Sequence, residues 1–309
     1  MMELITTVAS PRELAGTDLA PYDAVCLGSP YCRRVEGNFA EDLTLLREAV
    51  SSLRKMGKKT YVTTPAAPRG RDLPHVGRLI EAAGEAGVDA IEVHNMGVLR
   101  MLREMRSPLP AHMGAFANVY THLAAQVMKE YGAVRVRPNA EVSLKEMETV
   151  AREGGVEVEA LVHGKIPLGV TDKCSLLTEP EETDPKCPAA CREEHWLTTR
   201  QWVLKTVGKG VLSGRDMCML EHLPGLVSAG FFVFKIEGLY ETAAYRSDIG
   251  RVYREALELA VSEAEYKVRP AWADVVKKHS REGLCNGYYF GRTGRRYVGT
   301  VLQEAKPKV

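Results

Sequence analysis

The feature that most constrains this chain is a repeated change of hydrophobic period. Short apolar runs alternate with helix-period stretches about eight times, joined by short connections. Asp23-Ala-Val-Cys-Leu27 reads as a buried strand ended by Gly28-Ser-Pro30. The stretch 41–58 then carries Leu43, Leu45, Leu46, Val50 and Leu53 close to helical spacing. Further strands are expected over 3–9, 59–64, 89–93, 108–113, 133–137, 156–162 and 231–236. Helices are expected over 72–86, 96–105, 118–131, 219–229 and 241–265, with another near 272–279. Ser143-Leu-Lys-Glu146 opens one more with a capping-box pattern.

Such alternation implies parallel strands joined by right-handed crossovers. About eight units in 309 residues predict an α/β fold, a (β/α)8 TIM-like barrel. No linker-like segment interrupts it, so a single barrel domain is expected over 1–309. An irregular cysteine loop is placed at 165–200 and a C-terminal extension from 267 onward.

That loop holds the strongest chemical signal. Between Cys174 and Cys191, three of the seven cysteines fall in one polar, acidic, proline-interrupted segment, with Cys187 and Cys191 four apart. Cysteine is normally buried, so three in a loop require another reason. An iron–sulfur cluster, a structural zinc and plain or disulfide-bonded cysteine all fit the spacing. In a barrel, function gathers at the C-terminal ends of the strands. There the pattern places Gly28 to Cys32, Thr63, Thr64, His94, Asn95, His112, Arg137, His163, Gly164, Lys235 and Glu237. The cysteine loop is expected at this C-terminal rim, where Cys32 can supply a fourth thiolate.

Charge and composition narrow the rest. Hydrophobic residues make up 45% and charged residues 26%, which suits a globular core. A net charge of +1 lacks the basic excess common in RNA-modifying domains and disfavours nucleic acid as a partner. No apolar run has membrane-spanning length, the N-terminus lacks a signal-peptide pattern, and odd cysteine usage suits a reducing cytoplasm.

Local motifs resemble the collagenase-like peptidase family of unknown catalytic type. Glu159-Ala-Leu-Val-His163-Gly164 is similar to its Glu-x-Phe-x-His-Gly segment. Asp216-Met-Cys218, Lys235-Ile-Glu237-Gly238 and Tyr253-Arg254-Glu255-Ala256 resemble three further segments. Pro167 replaces a cysteine common in the family, and Leu239 an arginine. Within the family, Leu27-Gly28-Ser-Pro-Tyr-Cys32-Arg33-Arg34 and Pro167-Leu168 resemble the V-type iron–sulfur partner of oxygen-independent ubiquinone hydroxylation.

This resemblance implies a 4Fe-4S cluster on Cys32, Cys174, Cys187 and Cys191, with Cys218 as an alternative ligand. It also implies hydroxylation of an aromatic or quinone-precursor substrate, prephenate as hydroxyl donor, and a paralogous partner subunit. An RNA base is the alternative substrate; a hydrolase and a non-catalytic iron–sulfur subunit are the alternative roles. Conventional protease motifs are missing. Glu159, His163, Lys235 and Glu237 are the acid–base candidates. Even spacing along a strand would put Glu159 and His163 on one face, as a buried pair. Lys235 and Glu237 share a face likewise, where a structural ion pair is the plainer reading. Arg33 and Arg34 either hold a carboxylate or face solvent. Cys26 reads as core.

Overall fold

A computed structural model describes residues 2–34, 37–177, 187, 189–262, 265–292 and 294–302. The acidic part of the cysteine loop, 178–186, lies outside them, as do 263 and 264 in the last predicted turn of the long helix. The strands are β1 (Glu3–Val8), β2 (Ala24–Leu27), β3 (Lys59–Thr63), β4 (Ala90–Val93), β5 (Ala111–Met113) and β6 (Ala133–Val136). They continue with β7 (Glu157–Val170), β8 (His195–Thr198), β9 (Val203–Thr206), β10 (Gly210–Cys218), β11 (Val233–Glu237) and β12 (Leu284–Cys285). The helices are α1 (Pro11–Gly16), α2 (Leu43–Lys55), α3 (Leu73–Ala86), α4 (Met96–Glu104) and α5 (His122–Glu130). α6 (Leu144–Glu153), α7 (Leu223–Ser228), α8 (Ala243–Ser262) and α9 (Pro270–His279) complete the set.

Strands β1 to β7 pair in sequence order, all parallel, and β11 closes the ring between β7 and β1. The result is the expected eight-stranded parallel barrel. Helix positions follow their caps. Asp42 accepts from the amides of Thr44 and Leu45, and Leu46, Ala49, Val50 and Leu53 then form the buried stripe of α2. Ser143 and Glu146 form the reciprocal capping box of α6. α5 begins four residues later than the periodicity suggests. Asn118 adopts φ 55°, and Thr121 caps the helix by accepting from Ala124. Among the described residues no helix is long and apolar enough to cross a membrane.

The main departure from a simple barrel lies between its last two strands. β7 runs to Val170, well beyond the predicted end at 162, and β10 returns antiparallel beside it. β9 and β8 extend that sheet outward. The irregular segment therefore begins after Val170. Val170, just before it, pairs with Gly210 of β10.

β7 also carries a bulge. Leu161 pairs with Lys235, but His163 pairs with Ile236, so Val162 is an extra residue. Beyond the bulge, Gly164 lies against β11 with φ +110°, and a Cβ there would come within 2.3 Å of the Glu237 carbonyl oxygen. Only glycine allows this approach. Gly164→Ala should lower unfolding free energy by about 3 kcal/mol or more, measured by urea denaturation. A loss under about 1 kcal/mol would show that the strands can separate freely here.

Candidate active site at the barrel mouth and cysteine cavity

Alternate residues of the barrel strands point inward, and many are ionisable. Near the N-terminal end, Glu3 accepts from Tyr61 and Arg135, both at 2.7 Å, and from Lys59 at 2.7 Å. Burial alone would raise the Glu3 pKa, but Arg135 and these donors bring it down to about 2. His112 stacks edge-on against Tyr61, and burial lowers its pKa to about 3.

A second network fills the C-terminal half. Arg137 approaches Glu92 at 3.3 Å, Glu159 at 3.4 Å and Glu237 at 3.3 Å. His94 lies 2.9 Å from Glu92 and 3.0 Å from the Thr63 hydroxyl. Burial opposes charge on Glu92, but His94, Lys235 and Arg137 hold its pKa well below the ordinary carboxyl range. Lys235 is almost fully buried. Among the described residues it has no carboxylate oxygen within 4 Å, although burial is outweighed by Cys26, Glu92, Glu159 and Glu237, which raise its pKa. Arg137 Nε and Glu237 Oε1 are buried without hydrogen-bond partners. Such groups are costly in a core. Here they give the interior spare donor and acceptor capacity.

Aromatic rings cover this network. Tyr31 packs edge-on to Phe116 at 5.4 Å and lies 6.0 Å from Tyr240, and Phe116 stacks beside His94. Burial, with Glu237 and Tyr240 nearby, pushes the Tyr31 phenol far above its usual pKa. A Cβ on Gly210 would strike the Tyr31 ring at 2.3 Å, so β10 clamps it from the other side.

The next residue, Cys32, turns away from the barrel into a separate cavity. Cys32, Cys174, Cys187 and Cys191 all line it, with Leu176, Leu177 and Val207 among its apolar walls. Burial and the thiols of Cys32, Cys187 and Cys174 together raise the Cys191 pKa to about 11. Gly208, at φ +81°, forms the floor, where a Cβ would sit 3.0 Å from Cys174 Sγ. Four soft donors around one space, with the floor cleared by glycine, fit a thiolate-bound iron–sulfur group. Among the described residues no three His, Cys, Asp or Glu side chains converge closely enough to hold a single metal ion.

Other sequence candidates lie elsewhere. Cys218 is fully buried beside Tyr253, whose hydroxyl lies 3.6 Å from its sulfur, and burial raises its pKa to about 12. It does not line the cysteine cavity. Cys26 contacts Glu92 at 3.4 Å inside the barrel, so it borders the charged network as well as the core. His163 and Glu159 are not brought together. The Val162 bulge turns His163 outward, where its Nδ1 meets the Tyr253 hydroxyl at 3.2 Å. Lys235 and Glu237 share the inward face, but Glu237 pairs with Arg137. Arg33 reaches Glu41 at 3.8 Å and Asp72 at 3.6 Å. Asn95 caps α4. Sequence reasoning missed Glu92 and Arg135. Glu92-x-His94 and Arg135-x-Arg137, charged at period two in apolar strands, were the available signals.

Fold and site define a (β/α)8 protein with a polar barrel mouth beside a four-cysteine cavity. The chain belongs to the family described as Peptidase family U32, whose pattern matches residues 20–298. It is 28% identical over 260 residues to an uncharacterized protease of Methanocaldococcus jannaschii, covering 79% of this chain and 62% of that protein. It is 26% identical over 244 residues to the 23S rRNA 5-hydroxycytidine synthase of Escherichia coli, covering 78% of this chain and 37% of the synthase. It is 25% identical over 307 residues to tRNA hydroxylation protein P2 of Bacillus subtilis, covering 94% of this chain and 98% of that protein. The chain thus spans less than two thirds of the first two relatives' length.

These relatives correct two expectations. Those with named substrates act on tRNA or rRNA, which overturns the quinone-precursor reading and the exclusion of nucleic acid. The likeness holds at the level of the family, not of the V-type ubiquinone subgroup. Net charge sums over the whole surface, whereas a nucleic acid responds to the local field, so a value of +1 does not exclude it.

The buried histidines set a pH dependence. Burial lowers His163 to about 4 and His112 to about 3, both below the unfolded value. Between about pH 6.5 and 4 the unfolded chain binds protons that the folded chain does not. Stability is therefore full above pH 6.5 and falls on acidification, by about 1.4 kcal/mol per pH unit for each histidine once below that pH. Urea unfolding from pH 7.5 to 5 should show this fall, and His163→Gln should reduce its slope. An unchanged slope in His163→Gln would remove His163 from the account.

Proposed function

We propose that this chain serves the hydroxylation of an RNA base, with a 4Fe-4S cluster held by Cys32, Cys174, Cys187 and Cys191. The observation that carries this reading is the meeting of four cysteines around one cavity, from loops following β2 and β7. Four thiols set around one space suit a multi-iron cluster or a tetrahedral zinc, and metal and sulfide analysis separates the two. The names of the rRNA and tRNA relatives support the substrate class.

The cluster, when bound, would supply one-electron chemistry. The protein's own groups do the rest. Lys235 Nζ can bind an anionic group, and the surrounding acids hold its proton. Glu237 Oε1, buried without a donor, is placed to accept one. Glu159 and Glu92 hold Arg137 between them, and so fix the position of Glu237. Phe116 and Tyr240, partly exposed beside the buried Tyr31 ring, offer ring faces against which an unstacked base can lie. His163, neutral and turned toward Tyr253, serves as a positioning residue for the β7 bulge.

The test is anaerobic purification with iron and sulfide analysis, alongside mass spectrometry of nucleosides from a strain lacking the protein. About four irons per chain are expected, lost in Cys174→Ala but retained in Lys235→Met. A hydroxylated nucleoside should vanish in the deletion strain and return with wild type, but with neither variant. A colourless protein holding zinc would overturn the cluster assignment. An unchanged nucleoside profile would overturn the RNA reading.

A further inference from the structure

A second hollow, about 370 Å³, adjoins the cysteine cavity and shares Cys32, Arg34 and Lys209 with it. Its cations come from three separate loops: Arg33 and Arg34 after β2, Arg69 and Arg71 after β3, and Lys209 in the β9–β10 turn. Glu41, Asp72 and Asp172 are the acids among its walls. The net charge of +1 conceals this concentration.

We propose that this cleft holds the sugar–phosphate backbone of a single-stranded RNA segment and so presents one of its bases beside the cysteine cavity. The inference rests on the RNA reading above and adds the surface that grips the strand.

Three observations favour a strand. Pockets for small organic ligands are lined mainly by apolar side chains. This one is lined mainly by charged groups, with Arg71 exposed and Arg33 and Arg69 partly so. Cations spread over three loops suit a repeating charge better than one focused anion. Arg69 and Arg33 are already engaged by carboxylates, Arg69 by Asp172 and Arg33 by Glu41 and Asp72. Arginine meets phosphate oxygens through the same forked geometry that it offers a carboxylate. An arriving phosphate can therefore take the place of Asp172 without rebuilding the loop. The acids then act as placeholders that keep the arginines extended until RNA binds. The Tyr31 ring also borders the cleft, next to Cys32, so the aromatic cover of the barrel mouth begins where the cationic track ends.

The test is equilibrium binding of a single-stranded oligoribonucleotide of about 15 nucleotides to the anaerobically purified, iron-loaded protein over a range of salt. In wild type, affinity should fall steeply with salt. The double variant Arg69→Ala/Arg71→Ala should bind about tenfold or more weakly at low salt, with a log–log salt slope shallower by about 1 to 1.5. Its iron content should match wild type. Asp172→Asn removes a carboxylate that engages Arg69 and should bind more tightly, which mere damage to the loop would not produce. Lys129→Ala, on α5 near the opposite end of the barrel, should bind as wild type does. Wild type that binds no RNA overturns the cleft and the RNA reading together. Wild-type binding that the double variant retains at full strength, with the same salt slope, overturns the cleft alone.

Discussion

The guanidinium of Arg137 organises the upper half of this barrel. Three glutamates from three different strands approach it inside a closed ring of strands. Burying charge is costly unless every partner is present, and removing one partner of such a set typically costs about 3–5 kcal/mol. The network therefore holds β4, β6, β7 and β11 to one register, because a one-residue slip would send a glutamate to the opposite face. Cooperation between charge and register explains how an interior so polar can coexist with a barrel this regular. The apolar work is done outside the ring, where Leu4, Val25, Val62, Ile91 and Phe234 pack against the helices.

The same register makes the local exception at Val162 consequential. An extra residue in β7 leaves Glu159 and Leu161 in phase with the interior and sends His163 into the helix layer beside Tyr253. It also brings Gly164 against the β11 backbone. From there β7 continues beyond the barrel and pairs with β10, which turns a crossover into a platform. The cysteine loop hangs from this platform, and the β9–β10 turn supplies the glycine floor beneath Cys174. A short strand ending at the barrel edge would have left those thiols without a wall.

Three chemical environments thus meet within one side of the molecule. A charged interior, an aromatic cover and a thiol-lined cavity are separated by single residues: Tyr31 belongs to the cover, and Cys32 to the cavity. Tyr31 sits in a bend after β2 with Cys32 just beyond it, which is how two neighbouring residues can serve two compartments. The cationic cleft adds a fourth environment along the same edge.

Much of this was legible in the chain itself. Alternating hydrophobic periods determined the barrel, because a buried parallel strand followed by an amphipathic helix has few other ways to cover its apolar faces. The caps at Asp42 and Ser143 are local hydrogen bonds, and local chemistry is readable from neighbouring residues. The cysteine spacing left an iron–sulfur cluster, a zinc site and plain cysteine open, and it could not choose between Cys32 and Cys218 as a fourth ligand. That choice depends on which loop faces the cavity. The pairing of Glu159 with His163 failed for a related reason: strand alternation holds only until a bulge interrupts it, and a bulge is decided by the partner strand. Net charge misled because it has no geometry. Residue type and period determined what this chain can build. Only tertiary contact, which joins positions such as Cys32 and Cys174 from distant loops, decided which side chains share a space.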